Sequence, residues 1–376
     1  MQSLRADLEE LLNRAVAERI APSAVCAVAI DGKALTPIVV GDAVSFDDAG
    51  QPLPVHARIK AEPSTLYDLA SITKIFSALT VLSLVDEGRL ELGEPIGRFL
   101  PEYRTPAKDR VTLWHLLTHT SGLPATWEGW RHALGSGRGF NRADLVADLL
   151  HTELDQPPGI EFEYSCAGYN TMMVLAEVIT GTHWAELVQE RVLAHLATQE
   201  LTGSPRLEHT AATEYQPEWG RGMVRGVVHD EAAWALSSHR ESGLTGNAGM
   251  FGSVQGVLAF GESLRMGSPG ILSPELAAEM WRTQLTPELI THSELDFQYG
   301  LGLGIAQRSW VGNHPEARGH NGFTGTSLLV DKTTKLSIVL LTNRVHPRRE
   351  LSDVQALRQM VSNLVYDSLE HHAGQL

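Results

Sequence analysis

The sequence is poor in cysteine. Among 376 residues only Cys26 and Cys166 occur, and they lie far apart in the chain. Two isolated thiols make neither a disulfide framework nor the paired ligands of a zinc site. We therefore expect a sizeable hydrophobic core, which a chain of this length can bury within one large domain or two closely joined lobes.

Basic residues are also fewer than acidic residues. The chain has 30 Lys and Arg against 45 Asp and Glu, which gives a formal net charge of −15. So strong an acidic balance repels phosphate backbones and anionic headgroups. We expect neither a nucleic acid nor a membrane as a partner.

No apolar run has the length of a membrane-spanning helix, since residues 25–30 and 336–341 are far too short. Residues 1–10 are charged and amphipathic, and they lack the basic start and apolar core of a signal peptide. This pattern predicts a cytoplasmic protein.

Several catalytic motifs are missing. No Gly-x-Ser-x-Gly elbow occurs, which argues against an α/β-hydrolase. A Walker loop, a dinucleotide fingerprint and a His-Glu-x-x-His motif are absent too. We therefore expect chemistry without a metal or other cofactor.

Apolar periodicity predicts the order of the elements. Helical spacing marks residues 3–20, 142–151, 183–196, 254–266, 274–283 and 349–369, and strand-like runs mark 24–30, 35–40, 299–306, 325–330 and 336–341. Because strands occur near both ends, we predict one α/β sheet domain built from residues 1–68 and 297–376. Residues 69–296 form a mostly helical insertion, with the active site between the two parts.

The stretch 67–76 places Ser71 and Lys74 three residues apart at the start of a strongly apolar helix. Residues at this spacing share one helix face, and the first turn carries unpaired N–H groups. A serine needs a base to become a nucleophile, and a lysine serves as one only when its pKa is lowered. The pair predicts nucleophilic catalysis; the alternative is an ordinary helix start with a solvated lysine.

Two further motifs follow in order, Tyr164-Ser165-Cys166 before a helix and His320-Asn321-Gly322 before a strand. Together with Ser71-x-x-Lys74 they resemble the motifs of the serine β-lactamases and penicillin-binding proteins, and the likeness runs from Ala24 to the final helix. Within this superfamily the chain resembles the class C β-lactamases, family VIII esterases and D-Ala-D-Ala peptidases. The resemblance implies an α+β fold of the β-lactamase/transpeptidase type, with an antiparallel sheet flanked by helices.

The resemblance also implies residue roles. Ser71 is the nucleophile, and Lys74 with Tyr164 moves its proton as one titrating unit. The backbone N–H groups of Ser71 and Phe323 form the oxyanion hole. Gly322 lets substrate lie along the strand edge.

Asn321, Cys166 and Asn247 are further candidates for substrate contact. His320 orients the substrate or assists the leaving group.

Two positions depart from the family pattern. Cys166 replaces an asparagine that donates to the substrate amide, and a thiol is a poor substitute for that donor. His320 replaces a lysine, and a histidine is mostly neutral at pH 7, so it anchors a carboxylate poorly. Both departures favour ester substrates over amides and β-lactams.

Two interpretations stay open for several other polar residues. His115 and His119 are spaced to bind a metal, but they lack a partner acid, so we expect a polar turn that braces the site. The irregular stretch 203–246 is long enough to be functional or well packed. Within it, His229, Asp230 and Glu231 either line the cleft or pin the loop.

We therefore interpret the chain as a β-lactamase-like esterase that works through an acyl-enzyme on a small-molecule ester. One alternative is an N-acetylmuramyl-L-alanine amidase or a D-Ala-D-Ala peptidase or β-lactamase, acting on cell-wall-peptide-like substrates or β-lactams. Another is a penicillin-binding module that is acylated without turnover. A subgroup resemblance supports the amidase alternative, since the segments around residues 226–231, 246–251 and 319–327 look like those of such amidases.

Overall fold

The computed structural model describes residues 2–137, 139–237 and 242–373. Residues 238–241 of the predicted irregular stretch 203–246 lie outside this part. The helices are α1 (Gln2–Ala17), α2 (Thr73–Asp86), α3 (Leu113–Leu117), α4 (Gly129–Gly135), α5 (Arg142–His151), α6 (Cys166–Thr180), α7 (Trp184–Arg191), α8 (Glu231–Leu236), α9 (Val254–Arg265), α10 (Pro274–Trp281), α11 (Pro287–His292), α12 (Arg308–Val311) and α13 (Gln355–Ala373).

The strands are β1 (Ser23–Ile30), β2 (Lys33–Ala34), β3 (Ile38–Val44), β4 (Ile59–Lys60), β5 (Tyr67–Asp68), β6 (Leu201–Thr202), β7 (Phe251–Gly252), β8 (Gln298–Tyr299), β9 (Gly304–Ile305), β10 (Arg318–Asn321), β11 (Ser327–Asp331) and β12 (Leu336–Thr342). Within the described residues, nine of them form one antiparallel sheet in the order β4-β3-β1-β12-β11-β10-β9-β8, with β2 beside β1. The strands β5, β7 and β6 form a small second sheet.

The central strands of the large sheet are buried on both faces. Along β1, Val25 and Ala27 pack into one hydrophobic cluster, whereas Cys26 and Val28 pack into another on the opposite face. This alternation follows from the two-residue period of a strand. Helices α1 and α13 cover one face of the sheet, and α9 with the larger helical block covers the other.

Helix α2 runs through the centre of the molecule. Every residue from Thr73 to Leu84 is buried. A helix that is apolar all round is a core helix, so packing on every side fixes its position. Phe76 stacks on Phe260 of α9, with ring centroids 3.8 Å apart, and this contact ties α2 to the helix that lies on the sheet.

The sequence predicted the longer helices and strands, and the mixed α+β architecture with an antiparallel sheet is confirmed. The single strand predicted for residues 299–306 is wrong, because only the short strands β8 and β9 occur there. The strand β10 is an exception, because only the segment after residue 325 was predicted as a strand. Its residues Arg318–Asn321 show no apolar alternation, and the strand is defined instead by pairing with β11 and β9. His320 and Asn321 therefore lie within the sheet, at the end of a strand.

The final helix begins at Gln355, later than the predicted residue 349, and a short 3-10 turn spans Arg349–Leu351. No helix in the described ranges is both long and apolar enough to cross a membrane.

Candidate active site

Ser71 lies in a 3-10 turn, Ala70–Ile72, that leads directly into α2. Ala70 has a φ of 47°, a left-handed conformation that is uncommon for a residue with a side chain. The turn is held because the Ala70 N–H donates to Asp68 Oδ1 at 2.8 Å. This geometry brings Ser71 Oγ within 3.0 Å of Lys74 Nζ, as the helical spacing predicted.

Lys74 is fully buried and donates to three acceptors. These are Ser71 Oγ at 3.0 Å, Cys166 Sγ at 3.4 Å and the Asn247 carbonyl oxygen at 3.2 Å. Burial acts to lower the pKa of Lys74, but the negative charge that Cys166 and Tyr164 carry when ionised outweighs it and holds the pKa above the ordinary lysine value. The three acceptors match the three N–H donors of an ammonium, so we take Lys74 as charged in the resting site.

Tyr164 lies over Lys74, with the ammonium 4.9 Å from the centre of the ring. Burial raises the pKa of Tyr164, and the opposing effects of Lys74 and Ser71 do not cancel this shift. The resting side chain is a neutral phenol. Ser71, Lys74 and Tyr164 thus form one cluster, in which a proton leaving Ser71 has two neighbouring groups to reach.

His320 contacts the same phenol. Its Nδ1–H donates to the Asn321 carbonyl oxygen at 2.7 Å, so its Nε2 is left as an acceptor, and Tyr164 Oη lies 3.5 Å from it. Burial and the charge of Lys74 lower the pKa of His320 to about 3. The imidazole is therefore neutral, as expected from the sequence, and offers no positive charge to a substrate carboxylate.

Two backbone N–H groups remain available beside this cluster. Those of Ser71 and Phe323 donate no hydrogen bond within the described part of the chain. Phe323 follows Gly322 in the turn between β10 and β11, where the Gly322 N–H donates to the Thr326 carbonyl oxygen at 2.7 Å. Such unpaired donors can stabilise an oxyanion on a substrate.

The β10–β11 turn is fixed directly to the Ser71 turn. Thr324 Oγ1 donates to the Asp68 carbonyl oxygen at 2.7 Å, and Thr326 Oγ1 donates to that of Leu69 at 3.0 Å. Both threonines are buried. Gly322 is needed here because a Cβ at this position would lie 2.5 Å from the Leu69 carbonyl oxygen. The sequence had suggested only the approach of substrate as the reason for this glycine.

Arg358 of α13 supports the turn from behind, and sequence reasoning missed it. It is buried and donates to the carbonyl oxygens of Gly322 and Thr326, at 2.7 and 2.9 Å. No motif signals this arginine, because it lies in a helix far along the chain from the residues that it contacts.

Asn247 contacts the catalytic cluster through its main chain. Its side chain is buried and accepts from Thr245 Oγ1 at 2.9 Å, while its main-chain carbonyl accepts from Lys74. Contact between Asn247 and a substrate stays a prediction. The carbonyl oxygen of the residue holds the lysine.

The two motif histidines also have internal partners. His119 Nδ1 accepts from the Ser165 N–H at 3.0 Å, its Nε2 lies 3.2 Å from Tyr299 Oη, and His115 Nδ1 bonds to Thr112. Burial and the charge of Lys74 lower the pKa of His119 well below its usual range. Within the described ranges, no cluster of three or more His, Cys, Asp and Glu side chains is arranged to hold a metal ion. His119 braces the turn that leads into α6.

Residues 229–231 divide between pinning the loop and lining a cavity. The His229 N–H donates to Asp68 Oδ2 at 2.7 Å, and its Nε2 lies 2.8 Å from Glu214 Oε2, which pins the loop to the Ser71 turn. Asp230 and Glu231 line a cavity instead.

This cavity opens beside Cys166 and has a volume of about 310 Å³. It is rich in tryptophans and acidic side chains, of which the sequence had singled out only Asp230 and Glu231. Its lining comprises Thr126, Trp127, Glu128, Trp130, Arg131, Cys166, Asn170, Glu218, Trp219, Asp230, Glu231, Ala232, Arg349 and Glu350.

Comparisons with known proteins show the family of the chain. The sequence model of the family described as Beta-lactamase matches residues 8–360. The chain is 32% identical to Esterase EstB of Burkholderia gladioli, over 92% of this chain and 91% of that esterase. It is 27% identical to an N-acetylmuramyl-L-alanine amidase of Bacillus subtilis (strain 168), over 90% of this chain and 80% of that protein.

Among solved structures, the chain shares its fold with EstCE1, described as a hydrolase with promiscuous acyltransferase activity. The two superpose with a TM-score of 0.74 at 22% identity, over 97% of this chain and 99% of EstCE1.

The packing of Gly322 makes a direct prediction. In Gly322→Ala the new methyl group meets Thr326 Oγ1 at 2.2 Å and the Leu69 carbonyl oxygen at 2.5 Å, so the two turns must separate. We expect the variant to lose ~1–3 kcal/mol of unfolding free energy and roughly 10²-fold in kcat/KM, because small displacements of reacting groups are costly.

Denaturant melts and ester-hydrolysis rates measure both effects. Gly135→Ala is the control, since a Cβ there meets nothing within 4 Å. Wild-type kcat/KM in Gly322→Ala would show that the contact between the two turns does not position the site.

Proposed function

Because this chain belongs to the β-lactamase family of serine hydrolases, which act through an acyl-enzyme, we propose that it hydrolyses small carboxylic esters with Ser71 as the nucleophile. The observation that carries the proposal is the contact of Ser71 with Lys74 and Tyr164 beside two unpaired backbone N–H groups. Nucleophile, proton acceptor and oxyanion donors are the parts that acyl transfer requires.

We assign the productive state one proton fewer than the resting site, with Tyr164 as a phenolate beside the Lys74 ammonium. The phenolate takes the Ser71 proton as Oγ attacks the substrate carbonyl carbon. The N–H groups of Ser71 and Phe323 stabilise the oxyanion that forms. When the C–O bond to the alcohol breaks, Tyr164 returns the proton to the leaving oxygen, and water then attacks the acyl-enzyme by the same route.

His320 supports this exchange without carrying charge. Its neutral Nε2 faces Tyr164 Oη and accepts from the resting phenol, which positions that side chain before its proton is lost. A neutral residue here offers little to a substrate carboxylate, which β-lactams and cell-wall peptides carry.

An ester is favoured over an amide for a second reason. An amine leaves only after its nitrogen is protonated and its carbonyl is held, whereas an alkoxide needs less assistance. The Cys166 thiol contacts Lys74 at 3.4 Å but gives a substrate amide only a weak donor. The likeness to Esterase EstB supports the same substrate class.

A second candidate function is the hydrolysis of an amide bond in a cell-wall peptide. The likeness to the Bacillus subtilis amidase favours it. The cavity of about 310 Å³ beside Cys166 has room for an acyl group larger than acetyl.

Replacement of the nucleophile tests the proposal. Ser71→Ala removes one oxygen from the surface of the cluster, so we expect a folded protein whose 4-nitrophenyl butyrate turnover is lost to the background rate. Circular dichroism checks the fold. Ser64→Ala, at an exposed position, is the matched control and keeps full activity. Appreciable turnover by Ser71→Ala would remove Ser71 as the nucleophile.

The pH dependence of kcat/KM tests the protonation states assigned to Tyr164 and Lys74. The pKa of Tyr164 is raised, and the productive form has lost a proton from the Tyr164–Lys74 pair. Because deprotonation creates this form, we expect kcat/KM to rise steadily from pH 7 to pH 9.

In Tyr164→Phe we expect kcat/KM to fall by ~10²-fold or more and its pH dependence to flatten. A wild-type profile that is already level below pH 7 would contradict a phenol in the resting state.

Position 166 tests the substrate class. We expect the wild type to cleave 4-nitrophenyl esters readily and nitrocefin slowly or not at all. Cys166→Asn supplies an amide donor, so the ratio of nitrocefin to ester turnover should rise by about tenfold or more. Cys166→Ser, which removes the thiol without adding an amide, is the control. Nitrocefin turnover equal to ester turnover in the wild type would refute the argument.

A further inference from the structure

Asn170 is a buried amide with an unused donor. Its side chain is 1% exposed, and its Nδ2 donates no hydrogen bond within the described part of the chain. An unpaired buried N–H group costs free energy, so its persistence next to a cavity needs an explanation.

The orientation of this amide is fixed. Asn170 Oδ1 accepts from the Asn247 N–H at 3.2 Å. Because that backbone group can only donate, the oxygen must face it and the nitrogen must face away. Nδ2 is therefore the free end of the amide. Asn170 also lines the cavity of about 310 Å³ beside Cys166.

Asn170 lies close to Cys166, the residue that departs from the family pattern. Cys166 and Asn170 are four residues apart on α6, so they lie on the same helix face, one turn from each other. Both line the same cavity.

The lining of the cavity indicates the kind of acceptor. Arg131 pairs with Glu128 and Arg349 with Glu231, while Glu218, Asp230 and Glu350 have no basic partner among the described residues. This excess of negative charge disfavours a carboxylate ligand. An uncharged carbonyl oxygen accepts from Asn170 without that repulsion.

We propose that Asn170 donates a hydrogen bond to an uncharged carbonyl in the acyl part of the substrate, so that the enzyme selects acyl groups carrying an amide or ketone over plain alkyl chains. This inference rests on the proposed ester hydrolysis. Where the family has an asparagine donor, this chain has Cys166, and Asn170 would supply an amide donor one helical turn further along α6.

The experiment compares two esters whose acyl groups have the same shape, 4-nitrophenyl N-acetyl-β-alaninate and 4-nitrophenyl 5-methylhexanoate. The first has the carbonyl, and the second has a methyl branch in its place. The measured quantity is the ratio of the two kcat/KM values. In Asn170→Asp, which keeps the acceptor for the Asn247 N–H but loses the donor, we expect this ratio to fall by about tenfold.

Asn170→Leu removes the donor without adding charge, and its ratio should fall in the same way. Asn141→Asp, an exposed helix cap, is the matched control and leaves the ratio unchanged. If both esters lose activity equally in the Asn170 variants, Asn170 acts only through Asn247 on Lys74 and the inference is wrong. If the wild type cleaves neither ester, the proposed function fails, and this inference fails with it.

Discussion

The active site depends on two threonine hydroxyls that join separate parts of the chain. Thr324 and Thr326 donate to the carbonyl oxygens of Asp68 and Leu69, and all of these groups lie out of contact with water. A buried hydrogen bond of this kind is costly to break, because each partner is left unsatisfied. The join holds the turn that carries Phe323 against the turn that carries Ser71. We propose that the oxyanion hole is created by this contact between two elements.

The protonation of the cluster follows from the same packing. A buried ammonium persists only with close acceptors, and Lys74 has three of them. These acceptors are the Ser71 hydroxyl, the Cys166 sulfur and the Asn247 carbonyl oxygen. Tyr164 and the neutral His320 complete this group. In the proposed mechanism, catalysis requires the removal of a single proton from it.

The sequence predicted the parts of this arrangement that local periodicity encodes. The i, i+3 spacing of Ser71 and Lys74 within an apolar helix foretold their contact, and the strongly apolar strands near the end of the chain were located correctly. The three ordered motifs led to the expected resemblance to the β-lactamases and penicillin-binding proteins, which the family comparison confirms. The division into a sheet domain and a helical insertion stays a prediction.

The rest depends on tertiary contacts. The strand β10 is polar and is defined only by its neighbours in the sheet. Arg358 meets the β10–β11 turn because α13 crosses behind it, and no pattern within α13 marks that residue. The main-chain carbonyl of Asn247 accepts from Lys74, a contact that no sequence pattern signalled. The free donor of Asn170 is visible only when its burial and its fixed partner are both known.

The central claim is that Ser71 becomes acylated during turnover. Acid quenching of the wild type during hydrolysis of a 4-nitrophenyl ester, followed by tryptic digestion and mass spectrometry, locates the acyl group. We expect the added mass on the peptide of residues 61–74, which contains Ser71 and ends at Lys74. Added mass on the peptide that contains Cys166 would contradict it, as would continued turnover with no modified peptide.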